Sequence, residues 1–165
     1  AAVAIAMHMG VPVECIRKAV AEFKAVEHRI EFVREVGGVK YYNDSKGTNP
    51  DAAIKAVEAM VTPTVVIGGG YDKQSSYEEW IASFGDKVKC LVLLGATADK
   101  IEATARKAGF TNIVRVGSLK EAVEASAVQA QSGDAVLLSP ACASWDMFKS
   151  YEQRGTLFKE YVNQL

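Results

Sequence analysis

The chain has 165 residues, of which 49% are hydrophobic and 24% are charged, and its formal net charge is -1. This length suits one good core, or one domain plus a fragment of another, and the balanced charge does not favour a nucleic acid or an anionic membrane as the main partner. No apolar run reaches the roughly 18 residues of a membrane span, and the apolar start lacks the basic leader of a signal peptide. Since the sequence begins without Met and inside a helical pattern, we expect a piece of a longer protein.

The cysteines and histidines give no sign of a disulfide framework or a metal centre. Cys15, Cys90 and Cys142 are widely spaced and form no C-x-x-C motif, which is typical of unpaired thiols in a reducing cytoplasm. His8 and His28 belong to no cluster with metal-ligand spacing, so we expect no bound metal. No histidine lies in the loop around Cys142 to act as its base, which argues against a cysteine nucleophile.

The first forty residues predict two helical pieces followed by a β-hairpin. Residues 1–9 and 13–24 space their apolar side chains as helices do. Two short β-rich runs then flank Gly37-Gly38, a pair that suits a tight turn with positive φ.

From residue 49 onward, predicted helices alternate with strands that are continuous apolar runs. Asn49-Pro50 predicts a helix start, with Asn as the cap and Pro in the first position. Capping boxes predict two further helix starts, at Ser76 and at Ser118. After a final strand, "DAVLLS", the last helix is predicted over residues 145–163.

This alternation predicts an α/β fold, specifically a Rossmann-like three-layer domain with a mostly parallel sheet and an N-terminal β-hairpin. Residues 29–165 would form that domain. Residues 1–28 would be the end of a preceding domain plus a linker.

Three unusual loops follow predicted strands: "NDSKGTN" (43–49), "GGGYDK" (68–73) and "SPACAS" (139–144). In an open parallel sheet such loops meet at one edge, where ligands bind. Their lysines, hydroxyls and glycine N–H groups, with Ser144 as the expected cap of the last helix, predict a pocket for a small carboxylate or phosphate. Each loop taken alone is equally compatible with an ordinary polar turn. There is no G-x-G-x-x-G motif and no P-loop.

The motifs of these loops, taken together, resemble those of a known family. "HRIEFV", "NDSKGTN", the Gly-Gly turn carrying a Lys, and "LLSPACASWDMFKSYEQRG" are similar to the C-terminal domain of the Mur ligases over nearly all of the chain. Other Mur ligases and the folylpolyglutamate synthases typically carry a His-containing loop where this chain has residues 45–49. The resemblance therefore points to the branch of the family that adds D-glutamate.

The resemblance implies an ATP-dependent ligase of peptidoglycan biosynthesis in the bacterial cytoplasm. Such an enzyme joins D-glutamate to UDP-N-acetylmuramoyl-L-alanine through an acyl phosphate. ATP and Mg²⁺ would be held mainly by domains outside this chain, so we expect this chain alone to be inactive and to bind no cofactor tightly. We expect a monomer with neither a nucleic acid nor a membrane as partner.

The resemblance also implies which residues form the site. The residues expected around D-glutamate are Thr48, Lys73, Ser144, Trp145 and Tyr151, with Lys46 as a further candidate. Lys73 would pair with a carboxylate, while Thr48 and Ser144 would donate hydrogen bonds. Arg29 and Asp44 would reach the nucleotide. No residue of the chain is expected to be catalytic.

Other functions remain compatible with the sequence. The chain could be a domain of another Mur or folylpolyglutamate-type ligase with a different amino acid. It could also be a stand-alone Rossmann-like module that binds a nucleotide or a small anion by itself. A scaffold domain, the third alternative, would bind neither and would expose an apolar patch.

Overall fold

A six-stranded sheet organises most of the chain in the computed structural model, which describes residues 1–23 and 26–165. The strands are β1 (Glu31–Val36), β2 (Val39–Asn43), β3 (Thr64–Gly68), β4 (Val88–Leu93), β5 (Ile113–Arg115) and β6 (Ala135–Leu138). Their order across the sheet is β1-β2-β6-β3-β4-β5. The β1-β2 pair is antiparallel and the other pairs are parallel, which confirms the predicted mostly parallel sheet with an N-terminal hairpin.

Helices cover both faces of the sheet. The helices of the described residues are α1 (Ala2–His8), α2 (Val13–Glu22), α3 (Pro50–Ala59), α4 (Glu78–Ala82), α5 (Ala98–Lys107), α6 (Leu119–Gln129) and α7 (Tyr151–Val162), of which α3 to α7 pack on the sheet. Apolar residues of α3, α4 and α5 pack on one face, and those of α6 and α7 pack on the other. The predicted three-layer architecture is therefore confirmed. Within the described residues, no helix has the length and apolar composition that crossing a bilayer would need.

The central strands are apolar without interruption because both of their faces are buried. In β3, Val66 packs toward the α3–α5 side together with Trp80, whereas Val65 and Ile67 pack toward the α6–α7 side. Each such side chain contributes about 1.5 to 3 kcal/mol through removal from water. This two-sided core holds the carboxyl ends of β2, β6 and β3 side by side.

Local signals in the sequence account for several boundaries. Gly37 and Gly38 both have positive φ, 58° and 81°, as the predicted hairpin turn requires. Asn49 caps α3 by accepting a hydrogen bond from the Ala52 N–H at 2.9 Å. Ser118 caps α6 in the same way, which confirms that predicted start.

The helix start predicted at Ser76 is wrong. Helix α4 begins at Glu78 after Tyr77, and no side chain caps its first turn. The Ser76 hydroxyl instead hydrogen-bonds the Glu78 carboxylate, so it is not available to the backbone.

The last helix begins six residues later than predicted. Instead of running from residue 145 with Ser144 as the cap, α7 starts at Tyr151, and the Ser150 hydroxyl accepts the Gln153 N–H at 3.3 Å. The Ser144 carbonyl closes a separate turn by accepting the Phe148 N–H at 2.8 Å. This turn ends before α7 because Ser150 has an extended backbone, with φ at -159°.

The two N-terminal helices bury none of their residues in the described part of the chain. Ile5, Met9, Val20 and Phe23 are all exposed, and apolar side chains of both helices line a groove of about 460 Å³. The predicted pair of helical pieces is confirmed. The predicted end of the second piece at residue 24 lies outside the described residues.

Candidate functional site

The loops that follow β2, β3 and β6 meet at one edge of the sheet, as the sequence predicted. Tyr71, after β3, pairs its N–H with the Ala143 carbonyl, after β6, at 2.9 Å. Ser139 donates its hydroxyl to the Asp44 carboxylate, after β2, at 2.8 Å. Side-chain and backbone hydrogen bonds therefore fix the three loops against one another.

A depression of about 260 Å³ lies where the loops meet. Its lining residues are Thr48, Lys73, Ala143, Ser144, Trp145, Ser150, Tyr151 and Glu152. This set contains five of the six residues that the sequence predicted around a ligand. The sixth, Lys46, adjoins the depression, with its ammonium 5.7 Å from the centre of the Tyr151 ring.

Lys73 gives the pocket its positive charge. Its ammonium lies 3.4 Å from the Thr48 carbonyl and 5.4 Å from the centre of the Trp145 ring. Both partners are neutral, and no ion pair joins Lys73 to a carboxylate in the described residues. The charge is therefore available to an anionic ligand.

The N-terminus of α7 forms another wall of the pocket. Ser150, Tyr151 and Glu152 all line it, and N–H groups in the first turn of a helix favour negative charge. A hydrogen bond from the Ser150 hydroxyl lowers the pKa of Glu152, so one acidic group stands in an otherwise cationic pocket. The pocket thus offers both signs of charge.

Asp44 lies beneath the pocket and is only 1% exposed. One carboxylate oxygen accepts the Ile30 N–H at 3.3 Å and the other accepts the Ser139 hydroxyl at 2.8 Å. Burial raises the pKa of Asp44 to about 6, against the opposing effect of those hydrogen bonds. Both oxygens are therefore engaged within the chain.

The sequence predicts that Glu152 and Arg154 form a local ion pair or a solvated helix face, and for Arg154 this prediction is wrong, because the side chain is buried. Its guanidinium donates to the Ser45 hydroxyl at 2.9 Å, to the Ser45 carbonyl at 2.8 Å and to the Cys142 carbonyl at 3.2 Å. Burial lowers the pKa of Arg154 to about 10, which leaves it charged at neutral pH. Arg154 thereby ties the loop after β2 to the loop after β6.

Arg29 is exposed, and it lies between two residues whose backbone is strained. Its neighbours His28 and Ile30 both have positive φ, 62° and 46°, and a β-branched residue in that region is a genuine outlier. The His28 carbonyl accepts the Lys46 N–H at 3.0 Å, and the His28 ring meets the Asn43 amide at 2.9 Å. The loop after β2 therefore holds the strained segment and leaves the Arg29 side chain accessible.

Glu27, His28 and Glu31 bring ligand-type atoms within 4.8 Å of one another. The Lys159 ammonium, however, lies 2.7 Å from the Glu27 carboxylate and 3.2 Å from that of Glu31. An internal cation thus already neutralises this acidic group. The cluster is a structural ion pair that fastens α7 to the start of β1.

Sequence reasoning missed three features of the site: the placement of Ser150 and Glu152 on its wall, and the burial of Arg154. A signal for the first two was present, since Ser150 and Gln153 form an S-x-x-Q capping pattern that predicts a helix start at this point. Gln153 accepts the Lys149 N–H at 2.7 Å, one residue before the Ser150 N–H that a capping box would use. The burial of Arg154 has no comparable local signal, because its partners are 12 and 109 residues away.

A family model described as "Mur ligase, glutamate ligase domain" matches residues 28–142, which include the loops after β2 and β3 and the first four residues after β6. The chain belongs to the Mur ligase family. The predicted family resemblance is thereby confirmed.

Relatives of this Mur ligase domain include two proteins named UDP-N-acetylmuramoylalanine--D-glutamate ligase. The protein from Lachnoclostridium phytofermentans is 61% identical over 165 residues, which is 100% of this chain and 36% of the relative. The protein from Lachnospira eligens is 58% identical, again over 100% of this chain and over 37% of the relative. The chain thus spans about a third of the length of the curated relatives that it matches.

Solved structures share the fold at low sequence identity. The UDP-N-acetylmuramate-alanine ligase of Thermotoga maritima superposes with a TM-score of 0.68 at 14% identity, over 98% of this chain and 36% of that one. The folylpolyglutamate synthase of Mycobacterium tuberculosis superposes with a TM-score of 0.60 at 13% identity, over 88% and 35%. These likenesses confirm the Rossmann-like fold of the Mur ligase domain.

Proposed function

We propose that this chain is the C-terminal domain of a D-glutamate-adding Mur ligase and that its pocket binds D-glutamate. The observation that carries the proposal is the ammonium of Lys73, which faces the pocket without a carboxylate partner in the described residues. The names of the two relatives at 61% and 58% identity support the choice of amino acid.

The pocket offers complementary groups for a dianionic amino acid. Lys73 pairs with one carboxylate, while the hydroxyls of Thr48 and Ser144 donate hydrogen bonds. The N-terminus of α7, beside Tyr151, favours the second carboxylate. Trp145 forms an aromatic wall, and Lys46 adds positive charge at the rim.

In the proposed reaction, the terminal phosphoryl group of ATP is transferred to the terminal carboxylate of UDP-N-acetylmuramoyl-L-alanine, and ADP leaves. The amine of D-glutamate then attacks the acyl phosphate, the new C–N bond forms, and phosphate leaves. The contribution of this chain is to hold D-glutamate by its carboxylates so that its amine is aimed at the acyl carbon. We expect the reaction to run in the bacterial cytoplasm.

ATP, the nucleotide-linked substrate and Mg²⁺ belong mainly to the remainder of the protein in this proposal. Asp44 has both oxygens engaged by Ile30 and Ser139, and Glu152 is the one carboxylate that lines the pocket among the described residues. Mg²⁺ is usually held by one or two carboxylates together with substrate phosphates. Since Asp44 is engaged within the chain and Glu152 faces the amino-acid pocket, we place the Mg²⁺ ligands outside this chain. Arg29 is the accessible group of the edge that meets the nucleotide, whereas Asp44, which is 1% exposed, supports that edge through its bonds to Ile30 and Ser139.

Residues 1–28 are proposed to be the end of the neighbouring ATP-binding domain plus a linker, and residues 29–165 the amino-acid-binding domain. The support is the exposure of the apolar side chains on α1 and α2, such as Ile5 and Phe23. A helix pair with this much uncovered apolar surface normally packs against more protein.

A titration of the isotope-labelled chain followed by NMR tests the pocket, with D-glutamate as ligand and L-glutamate and ATP as comparisons. D-glutamate should shift the amide signals of Thr48, Lys73 and Ser144 selectively, and Lys73→Met should abolish those shifts. Lys120→Met, which removes an exposed lysine on α6, is the matched control and should leave them intact. Shifts produced by ATP alone would favour a stand-alone nucleotide module.

An activity assay of the intact enzyme tests the proposed reaction. D-glutamate-dependent release of phosphate from ATP, in the presence of UDP-N-acetylmuramoyl-L-alanine, should occur with the intact ligase and not with this chain. Turnover with another amino acid in place of D-glutamate would assign the chain to a different ligase of the family.

A further inference from the structure

Two aromatic side chains stand exposed at the mouth of the pocket. Trp145 is 64% exposed and Tyr71 is 43% exposed, whereas the other tryptophan, Trp80, is 0% exposed in the core. The Tyr71 and Trp145 rings lie 5.6 Å apart, centre to centre, at an angle of 56°. Large aromatic side chains left in water beside a ligand pocket point to a role in binding.

The backbone aligns this pair with Lys73. An isolated antiparallel bridge between Tyr71 and Ala143 joins the loop after β3 to the loop after β6, and Lys73 of the first loop and Trp145 of the second both line the pocket. The Lys73 ammonium lies over the Trp145 ring at 5.4 Å, within the range of a cation–π interaction. The three side chains thus lie in a row, with the Tyr71 ring outermost, the Trp145 ring in the middle and the Lys73 ammonium at the pocket.

The other side of the same loop is anchored away from the pocket. The Asp72 carboxylate forms an ion pair with Lys100 on α5 at 3.2 Å and accepts the Gln74 N–H at 2.7 Å. Asp72 therefore turns outward, toward α5. Its neighbour Lys73 turns inward and meets the Thr48 carbonyl and the Trp145 ring.

We propose that Tyr71 is a positioning residue for the incoming amino acid. Its ring supports the ring of Trp145, and the face of Trp145 holds the Lys73 ammonium at the pocket. The Lys73 ammonium contacts the Thr48 carbonyl and the Trp145 ring. Because both of these groups are neutral, they orient the ammonium without neutralising its charge. The inference rests on the proposed function, since Lys73 is the group that meets the ligand carboxylate.

Kinetics of the intact ligase test this role. A cation–π interaction at an exposed site supports about a twofold to fivefold change in affinity, so Tyr71→Ala should raise the KM for D-glutamate by about that factor with kcat unchanged. Tyr71→Phe should restore the KM, because the ring and not the hydroxyl makes the contact. Phe32→Ala, which removes an exposed aromatic paired with Tyr42 on the β-hairpin, is the matched control and should change neither constant.

A double substitution separates positioning from general loss of structure. Trp145→Leu should raise the KM in the same way, and adding Tyr71→Ala to it should have no further effect, because Tyr71 acts through Trp145. The fluorescence of Trp145 is obtained as the difference between the wild-type enzyme and Trp145→Phe. In Tyr71→Ala, a soluble quencher should reach the Trp145 ring more easily and reduce this fluorescence further. An unchanged KM in Tyr71→Ala with an active wild-type enzyme would overturn the inference. An intact wild-type enzyme that does not use D-glutamate would instead refute the proposed function.

Discussion

Replacing Asp44 with Asn removes a buried negative charge and keeps the shape of the side chain. The amide oxygen of Asn can still accept the Ile30 N–H, and its NH₂ can donate to the Ser139 hydroxyl, which then accepts. The substitution therefore isolates the cost of holding an ionised carboxylate in this position. We expect Asp44→Asn to stabilise the chain at neutral pH.

The magnitude follows from the pKa of Asp44, which burial raises from 3.8 to about 6. Between these two values the folded chain binds more protons than the unfolded chain, so the free energy of unfolding falls as the pH rises through this window. Above about pH 6 the full cost of ionisation is present, and it amounts to about 3 kcal/mol. This cost already includes the attraction of Asp44 to the nearby Arg154, so we expect a gain of at most about 3 kcal/mol from Asp44→Asn.

Urea unfolding of the wild type and of Asp44→Asn, at about pH 4 and about pH 7.5, measures this gain and its pH dependence. The variant should be more stable at the higher pH, and the difference should shrink toward zero at the lower pH. Asp86→Asn, at an exposed turn, is the control and should give no such trend. A variant that is destabilised by the same amount at both pH values would refute the reasoning, because the charge of Asp44 would then contribute nothing.

Two further substitutions probe how the loops are held together. Arg154→Met should lower the free energy of unfolding by about 3 kcal/mol in urea titrations, because the Ser45 and Cys142 carbonyls lose their buried donor. An effect below about 1 kcal/mol would contradict the role of Arg154 in joining the two loops. Gly70→Ala should destabilise by more than about 2 kcal/mol, because Gly70 has φ of 147° and an added Cβ would collide with the Ala143 carbonyl. Gly109→Ala is its control in thermal unfolding and should cost about 1 kcal/mol, since Gly109 also has positive φ but open space around it.

The features that the sequence predicted correctly depend on neighbouring residues. Gly37 and Gly38 supply the positive φ of the hairpin turn, and Asn49 caps the helix that begins one residue later. The apolar runs of β3 and β6 predict buried parallel strands because both of their faces meet helices. The convergence of the three loops then follows from the geometry of a parallel sheet.

The features that were missed depend on distant partners or on competition between local signals. Ser76 had the spacing of a helix cap, but its hydroxyl bonds the Glu78 side chain. The sequence predicts Ser144 as the cap of α7, whereas the structure has Ser150 in that position. What decides between them is the Asp146 carboxylate, which accepts the Ala96 N–H at 3.0 Å and ties this segment to the loop after β4. The two residues of that contact are 50 positions apart in the sequence, so the pattern of neighbouring residues does not predict it.

The distribution of strain supports the location of the site independently of any motif. The non-glycine residues with positive φ in the described chain are His28, Ile30, Gln74 and Ala141, and all four lie in or beside the loops that build the pocket. The buried charges of Asp44 and Arg154 lie in the same region. Each of these features lowers the stability of the fold. Strained residues and buried charges of this kind persist where the surrounding structure holds them in place, and they cluster at functional sites. A turn of purely structural purpose would gain from relaxing these residues, so their concentration here argues that the loops are shaped for a ligand.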